Sequence, residues 1–332
     1  MVTLGKLRTA VVGCGHVSAR HMASVSANDK CTLVAVCDIV VRKADEKAAE
    51  YGVAAYYDFD EMLEKCDFDV LHICTPHYLH CEMSIKAMNK GIHVLCEKPL
   101  AVTYDDAVKM CECAEKNNVY LGTCFQNRYN QSSRYIKKLL ESGEMGDIEC
   151  IKGIVTWDRD EKYYSDDWHG TLAKEGGGVV INQSIHTLDL MQWLVGSEVV
   201  DVKASISQKR LAGKVETEDT ADALITFENG CQGIFYATLC YGMNSPVFVE
   251  ILCQNGKIVM YDDLAVLRKG EEKQVVNFEH GKGDKGYWGN SHGMLIDDFY
   301  KSITTSSDFE VACRSGIKAV RIVDSLYTNA RN

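Results

Sequence analysis

Basic charge is in short supply. The chain carries 36 Lys and Arg against 47 Asp and Glu, a net charge of −11. Binding to a phosphate backbone relies on clustered Lys and Arg that release counterions, so no nucleic-acid partner is expected. Long apolar runs are missing too. None approaches the roughly 20 residues that cross a bilayer, so no membrane partner is expected either. Nor is a signal peptide expected, since the first residues run straight into the strand-like "RTAVVG". Paired cysteine motifs are absent although cysteine itself is plentiful. The 15 cysteines are odd in number and irregularly spaced, with no C-x-x-C. Many lie inside apparent strands (Cys37, Cys74, Cys96, Cys240, Cys253), where a thiol behaves as a small apolar side chain. This excludes a disulfide framework and a zinc knuckle and points to a reducing cytoplasm. Cys111 and Cys113 are two apart in a helical pattern, so their side chains diverge, and no metal site is expected. No repeat, low-complexity tract or long linker interrupts the chain.

What is present is enough for about two domains: 332 residues, 46% of them apolar. Up to about residue 124, short apolar runs alternate with helical patterns. Strands are expected at 8–12, "TLVAVCD", "DVLHIC", "HVLCE" and "VYLGT", and helices at 17–26, 42–51, 78–90 and 104–117. That alternation is the signature of a doubly wound parallel sheet. The rhythm then changes. After a helix at 132–142 come "IECIKGIVTW", "VVDVKASISQ", "TADALITFE", "GCQGIFYATL", "PVFVEILC" and "GKIVMY", several alternating and separated by Gly, Asn and Asp turns. These predict a large, mostly antiparallel open sheet, with a helix at 185–194 and two closing helices at 291–303 and 312–329. The expected fold class is therefore α/β, divided as 1–124 and 125–332.

Gly13-Cys14-Gly15-His16-Val17-Ser18 follows a strand and opens a helix. The two glycines permit a tight turn and close approach of backbone to a pyrophosphate, which the free N–H groups of the helix start would bind. Ser18 replaces the usual third glycine and is small enough for the same packing. Asp38 ends the second strand, where a carboxylate can hold both ribose hydroxyls of an adenosine. It would repel a 2′-phosphate, so NAD is expected over NADP, although Arg42 nearby could soften the preference. The alternative reading of Asp38 is a cap for the next helix. "CTPHYLH", 74–80, leaves a strand for a helix, with Thr75 suited to a cap and Pro76 to the first turn. "VLCEKPLAVT", 94–103, sets Glu97 and Lys98 where another strand leaves the sheet, the edge at which open α/β sheets bind ligands.

Together these pieces, with "FQNRYN" (125–130), "GGGVVINQSIHTLD" (176–189) and His292 followed by Asp297-Asp298-Phe299, resemble the glucose–fructose oxidoreductase / inositol dehydrogenase / rhizopine-catabolism (Gfo/Idh/MocA) family, in order over nearly the whole chain. The resemblance implies an N-terminal Rossmann domain that binds NAD(P). It implies a C-terminal α/β domain for substrate binding and assembly, and a homodimer or homotetramer formed through the open sheet. Gly13, Gly15, His16, Val17, Asp38, Thr75, Pro76, His80, Glu97, Lys98 and Gln126 would then line the cofactor. Lys98 would sit beside the nicotinamide and the reacting carbinol, with Pro99 fixing its direction through a bond of either isomer. An ammonium there can stabilise the alkoxide that forms as hydride leaves.

Asn182 and His186 are four apart and can face one cleft, with His186 as proton acceptor. Many family members have Asp at the position of Asn182. The departure shifts weight to Lys98 and His186 and is similar to the branch acting on nucleotide-linked amino sugars. Asp189 reads as support. Arg128, Tyr163, Trp168 and His292 are the candidates for substrate contact, because aromatic faces and polar groups suit polyols, and 281–290 reads as a lid. The expected function is NAD(P)-dependent oxidation of a ring secondary alcohol of a sugar, sugar derivative or cyclic polyol to a ketone, or the reverse. The alternatives are an NAD-dependent redox-assisted glycosidase and a non-catalytic nucleotide-sensing regulator.

Overall fold

The computed structural model describes residues 5–261, 264–278 and 291–330; the expected lid at 281–290 lies outside them. The chain forms two compact units, Met1–Phe125 with Ser291–Ile317, and Gln126–Asn290 with Lys318–Asn332.

The first unit is a six-stranded parallel sheet in the order β3-β2-β1-β4-β5-β6. Its strands are β1 (Leu7–Val12), β2 (Cys31–Cys37), β3 (Ala54–Tyr56), β4 (Val70–Ile73), β5 (His93–Cys96) and β6 (Leu121–Thr123). The helices between them are α1 (Ser18–Ala27), α2 (Val41–Tyr51), α3 (Phe59–Lys65), α4 (His80–Met88) and α5 (Tyr104–Asn117). A sheet covered on both faces needs continuous apolar strands, and all four residues of β4 are buried. β3 and α3 were not expected. β3 has three residues, too few for a period, and α3 depends on a local device: Asp58 caps it by accepting from the Glu61 N–H at 2.8 Å.

One cut at 124/125 does not describe the chain, because α8 (His292–Thr305) returns to the first unit. Its buried stripe of Leu295, Ile296, Phe299 and Tyr300 explains this. A Cβ on Gly122 would meet the Phe309 ring at 2.6 Å, and Thr123 N–H donates to Val311 at 3.0 Å, so residues 309–312 close the β6 edge.

The second unit is an eight-stranded sheet in the order β14-β13-β12-β11-β7-β10-β9-β8. The strands are β7 (Ile148–Thr156), β8 (Val199–Ser207), β9 (Thr220–Phe227), β10 (Gln232–Thr238), β11 (Phe248–Cys253), β12 (Gly256–Met260), β13 (Leu264–Arg268) and β14 (Gln274–Val276). Among the described residues only β7 and β10 of this sheet pair in parallel. α6 (Gln131–Glu141) and α7 (Ile185–Val195) accompany it, and α9 (Cys313–Ala330) ends the chain. α7 packs closely on β7, where a Cβ on Gly153 would meet Met191 Sδ at 2.5 Å. The other face leaves Leu224, Ile234, Tyr236 and Leu252 exposed.

Candidate active site

In the first unit the strand order reverses between β1 and β4, the point at which a doubly wound sheet opens a crevice beyond its strand ends. Gly13 lies there with φ +87°, and a Cβ on it would stand 2.5 Å from the Cys74 carbonyl oxygen. Neither the conformation nor the space admits another residue. A Cβ on Gly15 would meet nothing within 4 Å, so backbone is open to a ligand. Ser18 fills the third position by donating to the Gly15 carbonyl at 2.7 Å. Among the described residues no side chain caps α1, which leaves its first N–H groups for an anion. Asp38 accepts from Cys14 N–H and from Val40 N–H, both at 2.8 Å. It thus ties β2 to the glycine loop and braces the turn into α2, with Ile39 exposed beside it. His16 is exposed on the loop; Val17, Thr75 and Pro76 are half-buried around it. The cradle fits a dinucleotide.

Lys98 follows β5, half-buried, before a cis bond to Pro99. Its N–H donates to Glu97 Oε2 at 3.2 Å. Glu97 is buried, and His21 Nε2 donates to its Oε1 at 2.9 Å. Burial pushes this carboxyl up, but His21 and His292 outweigh it and hold it well below the ordinary carboxylate range.

Two expected contacts in this unit have other duties. His80 is fully buried, its ring nitrogens against the Pro99 carbonyl at 2.7 Å and the Thr75 carbonyl at 2.9 Å. It ties together the loops after β4 and β5 instead of lining a groove. His292 is buried and directed at Glu97, 3.7 Å from Oε1, instead of at a substrate space.

In the second unit, residues 176–178 make a turn that tolerates only glycine. A Cβ on Gly178 would stand 2.0 Å from the Glu218 carbonyl, and one on Gly177 1.9 Å from the Tyr327 hydroxyl. Glu218 accepts from Gly178 N–H and Val180 N–H at 3.0 Å and from Tyr327 OH at 2.8 Å. Beyond the turn, Val179–Gln183 winds as one π turn, and α7 begins at Ile185 with half-buried His186 in its first turn. Asn182 Nδ2 donates to Glu175 Oε1 at 2.6 Å and to Tyr163 OH at 3.3 Å. The acceptor-only carboxylate fixes which way the amide faces. Tyr163 OH also accepts from Gln183 Nε2 at 2.6 Å, and Gln183 Oε1 accepts from Arg159 at 3.1 Å. Burial, then the Glu175 charge, pushes the Tyr163 hydroxyl up, so it stays protonated. The Trp168 and His169 rings lie tilted against each other, with centroids 3.7 Å apart.

Arg128, expected on a cleft wall, is 1% exposed and gives Nε to Asp189 at 2.8 Å and Nη2 at 2.5 Å. An arginine buried beside an equally buried carboxylate is committed to it. Gln126 is buried, and its Oε1 has no hydrogen-bond partner among the described residues. Glu175, Glu218, Arg159, Gln183, His21 and His72 were not singled out beforehand. Glu175 stands next to the glycine turn in the sequence, but it is one charge among many in that loop.

Residues 7–125 match the NAD-binding Rossmann fold of the GFO/IDH/MocA oxidoreductase family, and residues 133–259 match that family's C-terminal domain. The chain belongs to the Gfo/Idh/MocA oxidoreductases. Among family relatives it is 30% identical over 260 residues to D-glucoside 3-dehydrogenase of Escherichia coli (strain K12), covering 73% of this chain and 72% of that one. It is 31% identical over 230 residues to 1-carboxy-3-chloro-3,4-dihydroxycyclohexa-1,5-diene dehydrogenase of Comamonas testosteroni, covering 68% of this chain but only 56% of that one. Among solved structures it superposes on the WlbA dehydrogenase of Bordetella pertussis, solved with NADH and UDP-GlcNAcA. The TM-score there is 0.87 at 27% identity, over 98% of this chain and 97% of that one. The α/β fold, a Rossmann sheet plus a large mostly antiparallel sheet, is the one the sequence led us to expect.

Proposed function

We propose that the protein oxidises a ring secondary alcohol of a sugar, sugar derivative or cyclic polyol to a ketone, or runs the reverse, with NAD as its cofactor. The observation that carries this reading is the position of Lys98, just past β5, one strand beyond the topological switch, and immediately after a buried carboxylate. A bound nicotinamide would supply the hydride acceptor. Lys98 hydrogen-bonds the substrate hydroxyl and stabilises the negative charge that develops on its oxygen as the hydride leaves. His186 accepts the proton. Asn182 gives its amide N–H to Glu175 and turns its carbonyl oxygen the other way, so that it orients a hydroxyl and takes no proton. Asp38 favours NAD over NADP by accepting from the ribose hydroxyls.

The second-unit sheet joins copies of the chain through the face bearing Leu224, Ile234, Tyr236 and Leu252; a monomer by light scattering at micromolar concentration contradicts this. A nucleotide-linked hexuronate is the first substrate to try, because the WlbA dehydrogenase solved with UDP-GlcNAcA matches over 98% of this chain. The test is a panel of inositols, free sugars, sugar acids, glycosides and nucleotide sugars with NAD and NADP, read by absorbance of the reduced nicotinamide. One responding class supports the reading; silence across the panel in both directions sinks it.

A further inference from the structure

Behind Lys98 lies a buried run of polar groups. His21 Nε2 meets Glu97 Oε1 at 2.9 Å, His21 Nδ1 meets His72 Nδ1 at 2.9 Å, His72 Nε2 meets Tyr300 OH at 2.9 Å, and Tyr300 OH meets Thr9 Oγ1 at 2.7 Å. All of Thr9, His21, His72 and Tyr300 are 0% exposed. The protons can be placed by elimination. A carboxylate only accepts, so His21 carries its proton on Nε2. With the His21 ring neutral, its Nδ1 can only accept, and it does so from His72 Nδ1. His72 Nε2 then accepts from Tyr300, and Tyr300 accepts from Thr9. Every bond points the same way, toward Glu97. A second branch agrees: Arg20 Nη1 lies 3.4 Å from His292 Nδ1, which puts the His292 proton on Nε2, the atom facing Glu97. Burial keeps His72 and His292 below the ordinary histidine range and pushes the thiols of Cys74, Cys96 and Cys124 well above theirs. These neighbours are therefore neutral, and Glu97 keeps its charge.

Glu97 directly follows β5, which lies beyond β4 from the glycine loop. A dinucleotide whose pyrophosphate sits on that loop carries its second half over the ends of β4 and β5. That half is a cation in NAD+ and neutral in NADH. We propose that Glu97 is a fixed buried anion that biases the site toward oxidised over reduced nicotinamide, with His21, His72, Tyr300 and Thr9 as the positioning residues that hold it charged. This rests on the dehydrogenase reading above. Donor atoms of His21, Glu97 and Cys124 lie within 4.8 Å of one another, close enough to share a metal ion. Both His21 nitrogens are already used in a one-way chain that ends on the carboxylate, which favours the hydrogen-bonded arrangement.

The experiment is to measure the dissociation constants of NAD+ and NADH by calorimetry for the purified full chain and for Glu97→Gln and Glu97→Asp. Glu97→Gln should raise the NAD+ to NADH ratio of constants about tenfold, the scale of one unit charge acting through a protein interior, and Glu97→Asp should restore it. A ratio unmoved by Glu97→Gln overturns the proposal while leaving the dehydrogenase reading intact, and so does stoichiometric zinc in the purified protein. Failure of the unsubstituted chain to bind either nucleotide overturns both. If Glu97→Gln does not fold, His21→Asn replaces it. With one donor gone, Glu97 protonates more easily, so the preference for NAD+ should fade as pH is lowered toward about 6, whereas the unsubstituted protein stays level. A level response in His21→Asn, against Glu97, His72, His292, Arg20 and Lys98 as the surrounding groups, overturns the proposal.

Discussion

Asn182 donates its side-chain amide to Glu175 at 2.6 Å, and both residues are buried. Asparagine here is therefore a requirement of its neighbour. Asn182→Asp would set two carboxylates against each other, and one would hold a proton at neutral pH. The expected result is a loss of about 3 kcal/mol of stability with a large loss of turnover. The raised pair value makes the loss grow as pH rises through it and shrink in acid. Glu175→Gln added to Asn182→Asp should recover most of the stability. Thermal melts of the single and double variants at two pH values check this.

Arg128→Leu should act on stability and spare substrate affinity. It strands Asp189, which is 1% exposed and whose carboxyl is pushed up by burial against the opposing pull of Arg128. Breaking such a pair costs about 3–5 kcal/mol. Denaturant unfolding reads the loss, and KM of the folded fraction should stay near that of the unsubstituted protein. A selective rise in KM would return Arg128 to the substrate.

Asp38→Ala should weaken NAD and favour NADP, moving the ratio of affinities by about tenfold, the value of one ~1.4 kcal/mol interaction. It also removes the bonds to Cys14 and Val40, so some loss of both cofactors accompanies the shift. Titration of the protein with each dinucleotide decides it. A prior preference for NADP contradicts the assignment.

Stability should fall as pH is lowered from about 7 to about 5. His72 and His292 are both held below the ordinary value of 6.5, burial being the foremost cause. The unfolded chain therefore binds more protons in this window, and the slope of unfolding free energy with pH is positive. Melts across the window should show the fall, and His72→Gln should flatten it. A flat profile in the unsubstituted protein contradicts the buried neutral assignments.

Much of the fold could be read from the sequence, because long periodic segments carry their own signal. α5 spans Tyr104–Asn117, the bounds its apolar spacing indicates. β13 and β14 escaped notice: they are five and three residues long and lie close to the chain end of the sheet. The strand ends that carry the glycine loop, Asp38 and Lys98 were legible, because sequence can locate where a strand stops. The duties of Arg128, His80 and His292 were not. Each is decided by a partner far along the chain: Asp189 for Arg128, Pro99 for His80 and Glu97 for His292. Spacing within a motif says nothing about such a partner. Glu175 was missed for the same reason.

The central claim is a net hydride transfer assisted by Lys98 and His186. Its most direct test uses the responding substrate, deuterated at the carbon to be oxidised, with NAD+ in a single turnover followed by mass spectrometry of both products. The account predicts one deuterium in the reduced cofactor for each ketone formed. Lys98→Ala and His186→Ala should each slow this by about a hundredfold or more with little change in cofactor affinity, and the double variant should fall well short of the product of the two losses. Release of an aglycone with no net reduced cofactor, or full transfer by Lys98→Ala, would contradict it.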